Sequence, residues 1–198
     1  VPIVPDVVTT GGAVGGGVDA VVAADGTLAY VRGVSASAGR RTLVWVDRQG
    51  RATATVSPPR LYGYPRISPD VGRVVVYAAD QEQDLWIWEL ARLTLTRLTF
   101  TSGVDAHPVW TPDGRRLIFA SEREGARNLF WQAADGTGNV ERLTRSPNVQ
   151  QSTAVSPDGT RLIFYESAPK TGDDVMQVEL TGNHAVIPLV QSPFAERN

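Results

Sequence analysis

The stretch HPVWTPDGRRLIFASEREG, from His107 to Gly125, consists of two apolar runs separated by a Pro-Asp-Gly turn. Proline presets φ, aspartate bonds locally to the backbone and glycine tolerates positive φ, so these three residues suit a tight turn. The runs on either side are short and rich in aliphatic and aromatic residues, a composition typical of β-strands. The stretch therefore predicts two antiparallel strands joined by a hairpin.

Copies of this stretch recur along the chain. Aligned on the turn aspartate, they are centred on Asp25, Asp70, Asp113 and Asp158, at spacings of 45, 43 and 45 residues. A period of this size matches the roughly 40–45 residues of a four-stranded propeller blade. Helical repeats of similar length need long stripes of period 3.6, which are absent. We therefore predict an all-β chain, a β-propeller of four-stranded antiparallel blades with about four blades present.

The repeats also set the expected blade limits. The first strand of the third repeat is expected near residues 107–111. Residues 1–18 are interpreted as the end of a preceding blade or a flexible linker, and residues 193–198 as the start of a next blade. The four blades themselves are predicted at 19–60, 61–102, 103–147 and 148–192.

Tryptophans fall inside the predicted strands, which favours packing between blades over a stacking surface for a ligand. Trp86 and Trp88 are two residues apart in DLWIWEL. Because side chains alternate along a strand, both are expected on one face of their sheet.

The motif x-P-x-[WI]-[ST]-P-D-G-x-R-[LV]-[IVA]-[FVY], followed by L-[WF]-x-W and R-L-T, resembles the TolB-type WD40-like β-propeller repeat. The resemblance covers nearly the whole chain in four copies. It departs from the motif at Val71, which stands in place of glycine, and at Met176 and Gln177, which replace a tryptophan-rich third strand.

The resemblance implies a propeller of six blades, with the remaining blades supplied by the parent chain or by association. Within the family, the segment GVDAHPVWTPDGRRLIFASEREGARNLFWQAADGTG is most similar to propeller regions attached to bacterial serine/threonine protein kinases. The residues leave the compartment unknown, and the resemblance favours a periplasmic or other extracytoplasmic location.

Composition excludes several classes of function. The chain has 19 Lys+Arg against 21 Asp+Glu, a formal net charge of −2, so no global field would attract nucleic acid. Cysteine is absent, which excludes disulfides and thiolate metal sites. No apolar run reaches the roughly 18 residues of a membrane span, so we expect no direct membrane insertion by these residues.

The residues give little support for catalysis. Only two histidines are present, and no G-x-S-x-G elbow occurs. The recurring aspartates have a sufficient structural role in the turn, with a channel-facing cation site as the alternative. We therefore expect no enzyme activity within these residues, no catalytic residue, no metal and no cofactor.

Binding is expected at the loops that join strands two and three of a blade and at those that join blades, because loops held by a rigid framework are the usual sites of recognition. The favoured function is a recognition or scaffolding module for a protein or peptide. The alternatives are the substrate-gating propeller of a prolyl-oligopeptidase-like peptidase and a sensor that binds a small ligand or cation in the central channel. The candidate binding residues are Tyr64, Glu82, Asp84, Asp105, His107, Arg123, Glu124 and Gln151.

Overall fold

The computed structural model describes residues 9–10, 17–18, 20–22, 28–33, 40–47, 49–54, 57–79 and 83–192. All the secondary-structure elements assigned within these residues are β-strands. The first two, β1 (Thr9–Thr10) and β2 (Gly17–Val18), form a two-stranded antiparallel sheet. In the part of the chain that the structure describes, no helix has the length and hydrophobicity needed to cross a membrane.

Four antiparallel sheets of four strands follow, and within each sheet every strand pairs with its neighbours in sequence. This arrangement confirms the predicted all-β fold of four-stranded blades, while the exact blade limits stay a prediction. The strands are β3 (Ala20–Val22), β4 (Leu28–Gly33), β5 (Arg41–Val46) and β6 (Ala52–Ala54) in the first sheet; β7 (Tyr62–Ile67), β8 (Arg73–Ala79), β9 (Gln83–Glu89) and β10 (Thr94–Arg97) in the second; β11 (Asp105–Trp110), β12 (Arg116–Ser121), β13 (Asn128–Ala133) and β14 (Glu141–Arg142) in the third; and β15 (Val149–Val155), β16 (Arg161–Ala168), β17 (Gly172–Glu179) and β18 (Val186–Val190) in the fourth.

The Pro-Asp-Gly turn of the third sheet is held by its own side chains. The backbone N–H of Arg116 donates to Thr111 Oγ1 at 3.0 Å, and Thr111 Oγ1 donates to Asp113 Oδ1 at 2.6 Å. Asp113 Oδ1 also accepts the N–H of Arg115 at 3.0 Å. Gly114 has a φ of 66°, which glycine adopts without steric cost. The recurrence of this aspartate is therefore explained by the turn.

The same turn forms in the second sheet despite the departure at Val71. Val71 has a φ of 58°, an unfavourable conformation for a β-branched residue. Asp70 Oδ1 still accepts the Ser68 hydroxyl, and it accepts the N–H of Gly72 at 3.1 Å. The local side-chain bonds thus retain the turn where glycine is lost.

The chain divides into two compact units, Val1–Arg97 and Leu98–Asn198. In the first unit, the first and second sheets share an apolar core of Leu43, Tyr62, Val74, Val76, Ala78 and Trp88. Trp86 packs against this same core, which confirms that Trp86 and Trp88 share one face. The Arg60 guanidinium lies 4.1 Å from the centroid of the Trp86 ring.

The second unit has a core of its own between the third and fourth sheets. Trp131 and Met176 pack against it from partly buried positions. The buried members are Val109, Ile118, Ala120, Leu129, Leu143, Leu162, Phe164, Val178 and Leu180.

The first strand of the third sheet begins earlier than predicted. β11 starts at Asp105, and its pairing with β12 shifts register between Ala106 and Val109, where His107 has a φ of 53°. β7 has the corresponding shift, and Tyr64 there has a φ of 50°. The strand continues past a proline because a bulge absorbs the residue that lacks an N–H. The start expected at residue 107 was therefore wrong by two residues.

Candidate functional site

In each sheet, we call the end at which the second and fourth strands end and the third strand begins the loop face. In the Leu98–Asn198 unit, Asn128 at the start of β13 ties the connection between the third and fourth sheets to its own strand. Asn128 Nδ2 donates to the carbonyls of Ser146 at 3.0 Å and Asn148 at 3.2 Å. Asn128 Oδ1 accepts the Ser146 N–H at 2.8 Å.

The fourth sheet holds the same connection from the other side. Glu166 accepts bonds from Ser146 Oγ at 2.9 Å, Asn148 Nδ2 at 2.9 Å and Gln150 Nε2 at 2.5 Å. Thr144 Oγ1 donates to Gln150 Oε1 and accepts the N–H of Leu129 at 3.0 Å. We call Asn128, Thr144, Gln150 and Glu166 the polar clamp. It fixes the loop that joins the two sheets.

Two of the candidate residues, Asp105 and Arg123, meet at this face. Arg123 Nη2 lies 3.0 Å from Asp105 Oδ2, and the Asp105 side chain is fully buried. Thr101 Oγ1 also donates to Asp105 Oδ2 at 3.0 Å. The Arg123 guanidinium lies 5.1 Å from the centroid of the Phe130 ring. Arg123 therefore anchors its turn to β11 and lies beside Phe130, on the face of the third sheet opposite the core shared with the fourth sheet.

Glu124 is engaged with a residue that sequence reasoning did not single out. Its Oε2 accepts from Arg142 Nη1 at 2.8 Å, and Arg142 Nη2 donates to Asn128 Oδ1 at 2.6 Å. On the same turn, Arg127 forms an ion pair with Glu122 at 2.7 Å. The charges of this turn are thus largely paired within the chain.

His107 and Gln151 lie on the first strands of their sheets. The His107 carbonyl accepts the Ser152 hydroxyl, a bond that joins the third sheet to the fourth. Gln151 lies opposite Tyr165 in the register of β15 with β16 and is partly buried. This bond between the sheets uses the backbone carbonyl of His107.

The other candidates belong to the Val1–Arg97 unit. Asp84 is buried and forms an ion pair with Arg97 at 2.5 Å. The Tyr64 ring lies 6.0 Å from the Tyr77 ring. Glu82 lies outside the described residues.

Sequence reasoning missed Asn128, Thr144 and Glu166. One signal for Thr144 was available, because R-L-T ends the fourth strand in both the second and third repeats. In the first sheet, Ser57 Oγ similarly accepts the N–H of Leu43 at 3.0 Å, so a hydroxyl at this place caps the third strand. A signal for Asn128 was also available, because three of the predicted third strands open with Asp84, Asn128 and Asp174. No comparable signal marks Glu166, whose partners lie 16 to 20 residues away in sequence.

Other chemistry finds little support in the structure. Among the described residues, no group of three or more histidine, cysteine, aspartate or glutamate side chains is arranged to hold a metal ion. An open cavity of about 160 Å³ lies beside Arg116, Trp131 and Glu141, away from the loop face. Three of its lining side chains contact one another, since Trp131 Nε1 donates to Glu141 Oε2 at 2.7 Å and the Arg116 guanidinium lies 4.0 Å from the centroid of the Trp131 ring.

The turn aspartates predict a pH dependence of stability. The hydrogen bond from Ser156 and the backbone N–H of Thr160 lower the pKa of Asp158 to about 2, and equivalent bonds lower the pKa of Asp113. Folding favours the charged form, so this stabilisation is complete above about pH 4 and is lost as pH falls towards 2. We expect the free energy of unfolding to decline across this window. In the double variant Asp113→Asn/Asp158→Asn, the free energy of unfolding, measured by urea denaturation at several pH values from 2 to 6, should depend less steeply on pH. An unchanged pH dependence would contradict the assignment of the effect to these two aspartates.

Four-stranded antiparallel sheets repeated along the chain, each packed face to face with a sequence neighbour within its unit, are the blades of a β-propeller. Comparison of the sequence with known protein families supports the β-propeller class. The family model of the TolB beta propeller domain matches residues 23–192. The chain belongs to the TolB β-propeller domain family.

Similar proteins include both TolB proteins and a peptidase. The uncharacterised peptidase YuxL of Bacillus subtilis is 33% identical over 133 residues, which are 63% of this chain and 20% of that protein. The TolB homolog of Chlorobium luteolum is 42% identical over 53 residues, 27% of this chain and 12% of that protein. The crystal structure of TolB from Acinetobacter baumannii matches with a TM-score of 0.75 and 24% identity, over 88% of this chain and 43% of that one. The chain thus spans a small part of the curated relatives it matches.

Proposed function

We propose that the chain is a non-catalytic recognition module that binds a protein or peptide partner through its loop face. The observation that carries the proposal is the polar clamp, which fixes the connection between the third and fourth sheets from both sides. A loop held in one conformation loses little entropy on binding, which favours recognition. Similarity to TolB proteins supports a protein partner and an extracytoplasmic location, and attachment to a kinase stays a prediction.

The turn that follows β12 is the part of the face to test first. Glu122 and Glu124 are 37% and 50% exposed, so their outer oxygens are open to a partner although each pairs with an arginine of the chain. Asp105 is buried beneath this turn, and the partly buried Arg123 ties the turn to it. We therefore expect Glu122 and Glu124 to contact a partner, and Asp105 and Arg123 to position them.

Affinity capture from a lysate of the source organism tests the proposal. The double variant Glu122→Lys/Glu124→Lys should lose a partner that the unchanged protein captures. Basic groups of the partner that pair with the two carboxylates would then face two lysines, and like charges repel across an interface. The matched control is Asp135→Lys, an exposed charge reversal at the opposite end of the third sheet. Circular dichroism would establish that both variants are folded. Retention of every partner by the double variant would count against the loop face.

A second candidate is the substrate-gating propeller of a prolyl-oligopeptidase-like peptidase. The similarity to the uncharacterised peptidase YuxL favours it. In that case the nucleophile would lie on a separate α/β domain of the same polypeptide. Reading the gene on both sides of this segment discriminates the two: a G-x-S-x-G elbow in an adjoining α/β domain supports gating, and a kinase domain or a membrane-spanning segment contradicts it.

A further inference from the structure

The repeats allow one position of the loop face to be compared between three sheets. It lies at the start of the third strand and is occupied by Asp84, Asn128 and Asp174. Two residues further along each third strand is a residue that pairs with the fourth strand: Trp86 with Arg97, Phe130 with Arg142 and Met176 with Pro188. Asp84 faces Ala78 across the sheet, Asn128 faces Ser121, and Asp174 faces Glu166. These registers make the three positions equivalent.

In the second and third sheets, an arginine from the fourth strand covers this position. Arg97, which pairs with Trp86, lies 2.5 Å from Asp84. Arg142, which pairs with Phe130, lies 2.6 Å from Asn128 Oδ1. The position thus receives a guanidinium from the chain itself in both sheets.

The fourth sheet lacks this arginine. Pro188 pairs with Met176 and stands where Arg97 and Arg142 stand in the other sheets. Glu166 adds a second carboxylate opposite Asp174, and like charges directly opposite each other destabilise a sheet. In each sheet, the formal charge can be summed over the residue at this position, the residue that faces it and the residue on the fourth strand. The sum is 0 in the second sheet (Asp84, Ala78, Arg97), +1 in the third (Asn128, Ser121, Arg142) and −2 in the fourth (Asp174, Glu166, Pro188).

The carboxylate of Asp174 is incompletely satisfied. Its side chain belongs to a residue that is only 2% exposed, and its Oδ2 accepts from Thr171 Oγ1 at 2.7 Å and Gln191 Nε2 at 3.0 Å. Its Oδ1 is buried and has no hydrogen-bond partner in the described part of the chain. No ion pair among the described residues joins Asp174 or Glu166 to a basic side chain. A buried carboxylate left in this state is costly unless a cationic group completes it.

We propose that this position on the fourth sheet receives an arginine side chain of the peptide or protein partner, in the place that Arg97 and Arg142 fill in the other sheets. The inference rests on the proposed function and names the chemistry of its partner. Gln191 is exposed, so a guanidinium can displace its amide and bond both oxygens of Asp174. Leu189 and Val190 are 48% and 45% exposed beside it and offer contacts to apolar residues that flank the arginine.

Isothermal titration calorimetry with acetyl-Leu-Arg-Leu-amide tests the proposal on the purified protein. The matched peptide carries citrulline, which has nearly the shape of arginine and no charge. We expect the arginine peptide to bind at least about tenfold more tightly than the citrulline peptide, since a charge-assisted bond replaces a neutral one. Equal affinities, or no binding of either peptide, would overturn the proposal.

Two variants of the protein test the site in opposite ways. Asp174→Asn removes the charge and introduces the residue that the third sheet carries naturally, so the fold should tolerate it. Pro188→Arg restores the missing arginine and should fill the position from within. Each variant should weaken binding of the arginine peptide by about tenfold or more. Unchanged affinity in both variants would place the peptide elsewhere and overturn the assignment.

Two further arms distinguish other occupants. Calcium chloride that binds the protein and displaces the peptide would assign the carboxylates to a metal ion. Binding by the Arg197→Gln variant but not by the unchanged protein would assign them to an arginine of the same chain. Either result overturns a partner arginine. If the peptide fails to bind while the Glu122→Lys/Glu124→Lys variant still loses its captured partner, this inference falls and the recognition function stands.

Discussion

Replacing Phe164 with alanine is expected to lower the free energy of unfolding by about 3–5 kcal/mol. Phe164 in β16 is completely buried in the core that the third and fourth sheets share. Truncation removes apolar contacts and leaves a cavity that closely packed neighbours can fill only in part. Urea denaturation followed by tryptophan fluorescence would measure the loss, because Trp131 packs against the same core.

Phe100 provides the matched control. It is 72% exposed in the same unit, so Phe100→Ala should change the free energy of unfolding by no more than about 0.5 kcal/mol. A similar cost for both variants would mean that the two sheets do not pack through Phe164. That result would contradict the shared core.

Replacing Asn128 with alanine is expected to cost about 2–4 kcal/mol of the free energy of unfolding. The change removes the bonds from Asn128 to Ser146, Asn148 and Arg142 and leaves buried polar groups without partners. The loss should exceed that of an ordinary surface substitution although no apolar contact of the core is removed. Chemical denaturation measures the size of the effect.

Two variants make the Asn128 experiment specific. Asn128→Asp keeps oxygen acceptors for Ser146 N–H and Arg142 but removes the donor to the two carbonyls, so an intermediate loss is expected. Asn139→Ala changes an exposed asparagine of the same sheet and should be close to neutral. Equal stability of Asn128→Ala and Asn139→Ala would show that the polar clamp does not contribute to folding.

The fold could be predicted from sequence because its determinants are local. The turn around Asp113 is formed by residues within five positions of one another, and the same local bonds recur around Asp70 and Asp158. A regular spacing of such turns, with short apolar runs between them, matches the period of a four-stranded blade. The start of β11 was misplaced because Pro108 interrupts the strand pattern, whereas the bulge at His107 lets the pairing continue.

The candidate site was less accessible to sequence reasoning. Asp105 and Arg123 are 18 positions apart, and their contact depends on the pairing of β11 with β12. The polar clamp depends on neutral side chains whose roles appear only once the third and fourth sheets are packed. Asp174 illustrates the same limit, since its missing arginine becomes visible only when the strand registers align Pro188 with Arg142.

The meander within each sheet also bears on how such a chain could arise. Every strand of the four sheets pairs with neighbours in sequence, so one repeat of 43 or 45 residues contains all the backbone pairing of one sheet. Duplication or deletion of a whole repeat in the gene would add or remove a sheet without rewiring any strand. Single copies can then differ from others, as the second does at Val71 and the fourth at Pro188, while other copies keep the turn glycine and the arginine.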